Sequence, residues 1–179
     1  VGLDECAKQM RARYELTCGG RLGPGDQDDK EATMLNRVIR WTDRGIEYEG
    51  DPRQGEKLLH GLGLDEGTKG CATPGVKAQA EQVEAETLLS QKDVTPYRRH
   101  TARANYLAAD RLDVQFAAEE ICRWMPKPTK AAPEALKRLC RHHVGLPRMI
   151  FHYKWQSIDH ADVYTDTDWA GCPRTRRST

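Results

Sequence analysis

The sequence predicts an α+β fold, and three observations support that prediction. Two segments with alternating apolar and polar residues flank a turn at 42–45, which predicts a β-hairpin. Apolar residues then recur at helical spacing in three successive stretches between 94 and 145. Two short segments of strand character follow, at 149–155 and 161–167. We therefore expect a mixed N-terminal region of hairpin and helix, a three-helix unit, and the start of a second sheet.

The N-terminal half contains four predicted elements. Apolar positions at helical spacing predict a short amphipathic helix within 3–16. The acidic, turn-rich stretch 19–29 predicts an exposed loop, and no Gly-Lys-Ser/Thr follows its glycines, which excludes a P-loop. The hairpin strands are expected at 34–41 and 46–49. A proline near its first turn marks a helix over 51–61.

The second half is expected to begin after a linker. Residues 63–96 are rich in Gly, Glu, Gln and Lys, which is typical of a weakly ordered connection. Three helices are predicted after it, and the first runs from Tyr97 to Ala109. The second begins at a cap, Asp110 or Asp113, and ends just before Pro126. The third begins at Lys130 or Pro133 and ends at Gly145.

The composition limits the core and excludes several classes of protein. Hydrophobic residues make up 38% of the 179 residues and charged residues 31%, so the core is expected to be small. No apolar run reaches the roughly twenty residues of a membrane span, and no signal peptide is found. We expect an intracellular protein, in the cytoplasm or nucleus, that is not secreted and has no membrane partner. The six cysteines form no Cys-x-x-Cys pair, which argues against a zinc ribbon.

The net charge of +1 conceals a segregated distribution of charge. Residues 93–158 carry 12 Lys and Arg against 6 Asp and Glu, whereas residues 1–92 carry 13 against 17. Six cations on two neighbouring helices of the basic block are candidates for contacts with nucleic-acid phosphates. These are Arg98, Arg99, Arg103, Lys137, Arg138 and Arg141. A solvated basic helix face is equally compatible with this pattern.

The last predicted strand carries carboxylates on one face. Alternation places Asp162, Asp166 and Asp168 on the same side of the strand. Carboxylates in this arrangement repel one another unless water or a divalent cation screens them. The strand is therefore either a solvated edge or one wall of a metal site.

Several short strings, in a consistent order, give this chain its family resemblance. The string D-T-D-W-A-G at 166–171 resembles the start of the RNase H domain in copia-type long-terminal-repeat retrotransposon Pol polyproteins. Earlier strings resemble the region between the polymerase palm and that domain. They are D-V-T-P-Y-R at 93–98, Y-L-A-A-D-R-L-D-V-Q-F-A at 106–117, R-W-M at 123–125 and A-L-K-R-L-C-R at 135–141.

The resemblance implies three regions and a set of roles. Residues 1–92 are similar to the end of the reverse transcriptase after the palm, 93–147 to the helical connection, and 148–179 to the start of a truncated RNase H-like domain. In this family the residue that matches Asp166 is the first catalytic, metal-binding carboxylate, and Asp168 is a weaker candidate ligand. The implied cofactor is Mg²⁺, and the implied partners are an RNA/DNA hybrid and the remainder of the polyprotein.

The chain also departs from the family pattern. Leu112 replaces a usual proline, His142 and His143 replace a usual Tyr-Leu pair, and the polymerase motif Tyr-x-Asp-Asp is absent. The remaining RNase H carboxylates of the family lie beyond Thr179. We therefore expect a fragment of a reverse transcriptase/RNase H polyprotein that is catalytically inactive alone. The alternatives are a non-enzymatic nucleic-acid-binding module and a translated relic without function.

Overall fold

The computed structural model describes residues 2–17, 19–65, 67–76, 87–157 and 159–165. Within these residues the chain forms five α-helices, one short 3₁₀ turn and four strands. The helices are α1 (Leu3–Arg11), α2 (Arg53–Gly61), α3 (Gln91–Ala108), α4 (Gln115–Cys122) and α5 (Ala131–Gly145). The strands are β1 (Glu31–Met34), β2 (Arg37–Thr42), β3 (Gly45–Glu49) and β4 (Ile150–Lys154). Helices combined with an antiparallel sheet confirm the predicted α+β class.

The four strands form one sheet in the order β1-β2-β3-β4. The predicted hairpin is confirmed, because β2 and β3 are antiparallel with Trp41 opposite Ile46. The strand expected over 34–41 is interrupted at Leu35 and Asn36, which have positive φ angles of 52° and 63°. These two residues form the tight turn that returns β2 against β1.

β4 joins this sheet from the far end of the helical region. The strand predicted at 149–155 is confirmed, but its partner is β3, with Glu49 opposite Ile150. The expectation that this strand and one at 161–167 begin a second sheet is wrong for β4, which joins the sheet of β1 to β3, and the described residues 161–165 form no strand. Alternation identifies a strand without identifying its partner. The division of the chain into three polyprotein regions stays a prediction.

The register separates the two faces of the sheet by polarity. Residues directly opposite each other share a face, and one face is apolar and aromatic. Apart from Arg37, which lies opposite Met34, its members are Ala32, Met34, Ile39, Trp41, Ile46, Tyr48, Phe151 and Tyr153. The other face carries Arg40, which pairs with Glu31 and Glu49. No hydrophobic side chain of a described strand is buried, so the sheet adds nothing to the hydrophobic core.

The hydrophobic core lies among α2, α3, α4 and α5. Leu58 of α2 and Leu136 and Leu139 of α5 are at most 1% exposed and belong to one cluster with apolar residues of α3 and α4. The phenol of Tyr97 donates a hydrogen bond of 2.7 Å to the carbonyl of Ile121, which ties α3 to α4 inside this core. None of the described helices is both long and apolar enough to cross a bilayer.

α3 begins six residues before its predicted start at Tyr97. Its first turn is stabilised where the hydroxyl of Ser90 contacts the carboxylate of Asp93 and the Asp93 N–H donates to the Ser90 carbonyl. Val94 is buried in the same turn. Pro96 therefore lies inside the helix, close enough to its N-terminus that only a local loss of backbone bonding follows.

The predicted cap of the second helix of this region is wrong. Neither Asp110 nor Asp113 makes a capping hydrogen bond, and α4 begins at Gln115 after the 3₁₀ turn Leu112–Val114. Asp110 instead accepts hydrogen bonds from Arg37 and Tyr48 of the sheet. An ion pair with a distant residue thus replaced the local bond predicted for Asp110, whereas Asp113 pairs with nearby Arg111.

Candidate nucleic-acid interface

A groove lies between α4 and α5 and has a volume of about 810 Å³. Its apolar lining includes Ala117 and Ile121 of α4, Trp124 just beyond that helix, and Ala132 and Ala135 of α5. Three carboxylates, of Asp113, Glu120 and Glu134, and three cations also line it, and the cations come from α5 alone. Those cations are Lys137, Arg138 and Arg141, three of the six that the sequence predicted for nucleic-acid contact.

Two of these cations also hold the preceding loop in place. A terminal guanidinium nitrogen of Arg138 donates to the hydroxyl of Thr73 at 2.7 Å, and Nε of Arg141 donates to the carbonyl of Lys69 at 3.0 Å. The buried Nε of Arg138 makes no hydrogen bond within the described residues. Lys137 pairs with Glu134 of its own helix at 2.9 Å, an exposed contact that water readily replaces. The loop contacts fix where both guanidiniums point.

The three predicted cations of α3 lie elsewhere. Arg98 donates to the carbonyls of Met125 and Pro126, at 2.8 and 3.1 Å, in the chain that follows α4. Arg99 and Arg103 line a separate cleft of about 390 Å³ between α2 and α3. The six residues are therefore divided among the groove, the cleft and a helix-terminus contact.

A buried polar network was not predicted from the sequence, and Arg111 is its centre. Arg111 is 4% exposed and makes a two-pronged ion pair with Asp113, at 2.9 and 2.7 Å. Its guanidinium also donates to the carbonyls of Leu146 and Pro147, at 2.8 and 3.2 Å, just beyond the end of α5. One terminal nitrogen lies 3.0 Å from Nδ1 of His143, which must accept because the guanidinium only donates.

The two adjacent histidines of α5 both take part in this network. His142 lies with Nε2 3.0 Å from the Asp113 carboxylate and Nδ1 3.2 Å from the carbonyl of Cys71. The ring of His143 packs against the backbone of α2 at Gly55, where a Cβ atom would overlap it. The two histidines therefore place hydrogen-bonding groups in the interior at this position. Two sequence features could have indicated this network: the R-L-D triplet at 111–113 and the adjacent pair His142 and His143.

Burial and charge set the protonation of this network. Burial, assisted by the positive charge of Arg111, lowers the pKa of His143 to about 4. Burial alone would raise the pKa of Asp113, but hydrogen bonds and charge from Arg111, with help from His142, outweigh it and leave that pKa below its ordinary value. At neutral pH the network is therefore a neutral His143 beside an Arg111–Asp113 ion pair.

A second polar cluster connects the sheet to the helices. Asp110 is 6% exposed and pairs with Arg37 of β2 at 2.8 Å, while the Tyr48 hydroxyl of β3 donates to the same carboxylate. Burial, followed by the hydrogen bond to Asp110, raises the pKa of Tyr48. Polar contacts thus join the sheet to the helical core.

The predicted metal ligands Asp166 and Asp168 lie outside the described residues, and they stay predictions. Within the residues that the structure does describe, no three His, Cys, Asp or Glu side chains come together in a way that could hold a metal ion.

Comparison with known proteins gives three relatives from Arabidopsis thaliana. The chain is 36% identical over 90 residues to the uncharacterized mitochondrial protein AtMg00810, covering 49% of this chain and 36% of that protein. It is 34% identical over 79 residues to the retrovirus-related Pol polyprotein from transposon RE1 and 36% identical over 80 residues to that from transposon RE2. Each of these alignments covers 44% of this chain and 5% of the polyprotein.

These matches bear on about half of the chain and on a small part of each Pol relative. No protein-family model matches the chain, and no solved structure matches it significantly. The two Pol polyproteins nevertheless agree with the resemblance that the sequence motifs predicted. About half of this chain is therefore similar to a short segment of retrotransposon Pol polyproteins.

Proposed function

We propose that this chain belongs to the reverse transcriptase and RNase H part of its polyprotein and contacts an RNA/DNA hybrid without catalysing a reaction alone. The observation that supports this most directly is the groove between α4 and α5, where Lys137, Arg138 and Arg141 come together. The Pol relatives supply the context for such a contact.

The groove suits a nucleic-acid strand for physical reasons. Lys137 and Arg141 are four residues apart and share a helix face, with Arg138 beside them. Cations arranged in this way neutralise successive phosphates and release counterions. The ring of Phe116 is 68% exposed at the same groove, and an exposed aromatic ring stacks on a base or packs on a sugar. The substrate class is therefore a phosphodiester strand, read through its backbone.

Salt dependence of hybrid binding tests this proposal. We expect the chain to bind a short RNA/DNA hybrid at low salt, with affinity that falls steeply as salt is added. Substituting the three groove cations together (Lys137→Gln, Arg138→Gln, Arg141→Gln) should reduce the slope of log affinity against log salt by roughly 2–3, because each lost phosphate contact removes about one. Fluorescence anisotropy at four or five salt concentrations measures both quantities.

A matched variant removes the same charge elsewhere. The control substitutes Lys8, Arg13 and Arg44, exposed cations of the N-terminal half, with Gln. Because Arg138 and Arg141 also hold the loop at 69–73, the midpoint of thermal unfolding is compared for both variants. Binding that is absent at low salt, or that weakens equally in both triple variants, would contradict the proposed groove.

The same reaction mixtures test the proposed lack of catalysis and the role of Asp166. We expect no cleavage of the RNA strand with or without added Mg²⁺, because hydrolysis by two metal ions needs a fuller set of carboxylates than Asp166 and Asp168 supply. Cleavage that requires Mg²⁺ and disappears in Asp166→Asn would show that the chain is an active nuclease. Gel analysis of a labelled RNA strand decides between these outcomes.

A further inference from the structure

The cleft between α2 and α3 contains a group of charged side chains that has no part in the proposed function. Its side chains include three cations, two imidazoles and one carboxylate within about 390 Å³. They are Lys57, Arg99, Arg103, His60, His100 and Glu56. With both histidines neutral, these groups carry a net charge of +2. Lys57 and His60 belong to α2, outside the basic block that the sequence analysis considered.

The cations of this cleft outnumber its one lining carboxylate, that of Glu56. Within the described residues, neither Lys57 nor Arg99 nor Arg103 has a carboxylate within ion-pair distance. Arg99 and Arg103 are four residues apart on one helix face, a spacing at which like charges repel. Arg103 is also fixed, because its guanidinium donates to the carbonyl of Lys57 at 3.2 Å. A helix pair that gathers positive charge in this way is stabilised by a bound anion.

A buried imidazole gives an independent indication of a ligand. His100 is 6% exposed and lies in the wall of the cleft against Gly61. Its Nδ1 atom is buried and makes no hydrogen bond within the described residues. An unpartnered buried nitrogen is costly. Burial, followed by the charges of Arg99 and Arg103, lowers the pKa of His100, which reflects the positive potential at this place.

We propose that this cleft is a phosphate-binding site, in which Lys57, Arg99 and Arg103 hold the anion and His100 lines the wall. A phosphate group suits the cleft because it accepts several charge-assisted hydrogen bonds at once, and arginine binds it through two nitrogens. Glu56 opposes the anion by like charge and so limits the affinity. The bound phosphate has two possible sources. One is a nucleic-acid backbone, and that assignment rests on the proposed function. The other is a free phosphate or a phosphorylated small molecule, and that assignment is independent of it.

Titration of the full chain with inorganic phosphate tests the site. At constant ionic strength, NMR signals of the Arg99 and Arg103 Nε–H groups and of the His100 ring should shift saturably. The double variant Lys57→Gln/Arg99→Gln should bind phosphate at least about tenfold more weakly, since a hydrogen bond to a charged group contributes about 1.5–3 kcal/mol. Glu56→Gln should bind it several-fold more tightly.

The control variant is Lys92→Gln/Lys127→Gln, which loses the same charge at exposed positions outside the cleft. Absence of saturable shifts, or equal weakening in the control, would overturn the site. Adding an RNA/DNA hybrid to the phosphate-bound chain distinguishes the sources: displacement assigns the cleft to backbone phosphate, and retention assigns it to a free phosphate. The groove variant at Lys137, Arg138 and Arg141 should lose hybrid binding while keeping phosphate binding, so the two proposals fail separately.

Discussion

Replacing Arg111 with Ala should lower the free energy of unfolding by about 3–5 kcal/mol, the range for breaking a buried ion pair. The change removes the guanidinium that pairs with the largely shielded carboxylate of Asp113 and leaves the carbonyls of Leu146 and Pro147 without this donor. A chain with a small core has little stability to spare, so much of the variant should be unfolded at 37 °C. Urea unfolding followed by circular dichroism measures the loss.

The control for this prediction is an arginine with no buried role. Arg44 lies exposed in the turn between β2 and β3, so Arg44→Ala should change stability by no more than about 0.5 kcal/mol. Arg111→Lys should fall between the two, because an ammonium keeps the charge but cannot reach all four acceptor groups together. The assigned network would be wrong if Arg111→Ala and Arg44→Ala were equally stable.

Stability should fall as the pH is lowered from about 6.5 to about 4, and His143 should account for much of the fall. In the unfolded chain the imidazole takes up a proton near its ordinary pKa, whereas in the folded chain it stays neutral until its pKa of about 4. Between these values the unfolded state binds more protons, so the unfolding free energy decreases with falling pH. The difference corresponds to roughly 3 kcal/mol. Urea unfolding at pH 7, 5.5 and 4.5 follows it.

His143→Asn separates this residue from other titrating groups. The amide oxygen of Asn stands near the position of Nδ1 and still accepts from Arg111, but it does not titrate. The variant should therefore be less stable at pH 7, because the smaller side chain leaves a void against Gly55, and its stability should depend less on pH. His100 contributes a slope of the same sign in both proteins, and it cancels in the comparison. An unchanged slope in His143→Asn would exclude His143 as the source.

Local chemistry made part of this fold predictable. Alternation and a turn located β2 and β3, and helical periodicity located α5 within one or two residues of its observed start. The turn at Leu35 was missed because leucine rarely adopts a positive φ, so an apolar run resembled an unbroken strand. The partner of β4 was missed because long-range pairing leaves no local signal. The start of α3 was missed because Pro96 indicates a boundary more often than a helix interior.

The site was predictable in its residue types but less so in its arrangement. Helical spacing correctly placed Lys137 and Arg141 on one surface of α5. It did not show that α3 turns Arg99 towards α2, where Lys57 supplies a cation from a segment with no net basic character. The buried role of Arg111 was hidden for a similar reason, since all its partners other than Asp113 come from α5 and the chain that follows. Charge counts along a sequence do not record which helices pack together.

The pairing of Glu49 with Ile150 also bears on the order in which this chain folds. β1, β2 and β3 are contiguous and close through short turns, whereas β4 must return across roughly one hundred residues, a costly loop closure for a flexible chain. Packing of α2 to α5 shortens that distance before β4 arrives. β3 is therefore an open edge during folding, available for mispairing with another chain. Pulsed hydrogen exchange should find the amides of β4 protected after those of α3 and α5; simultaneous protection would contradict this order.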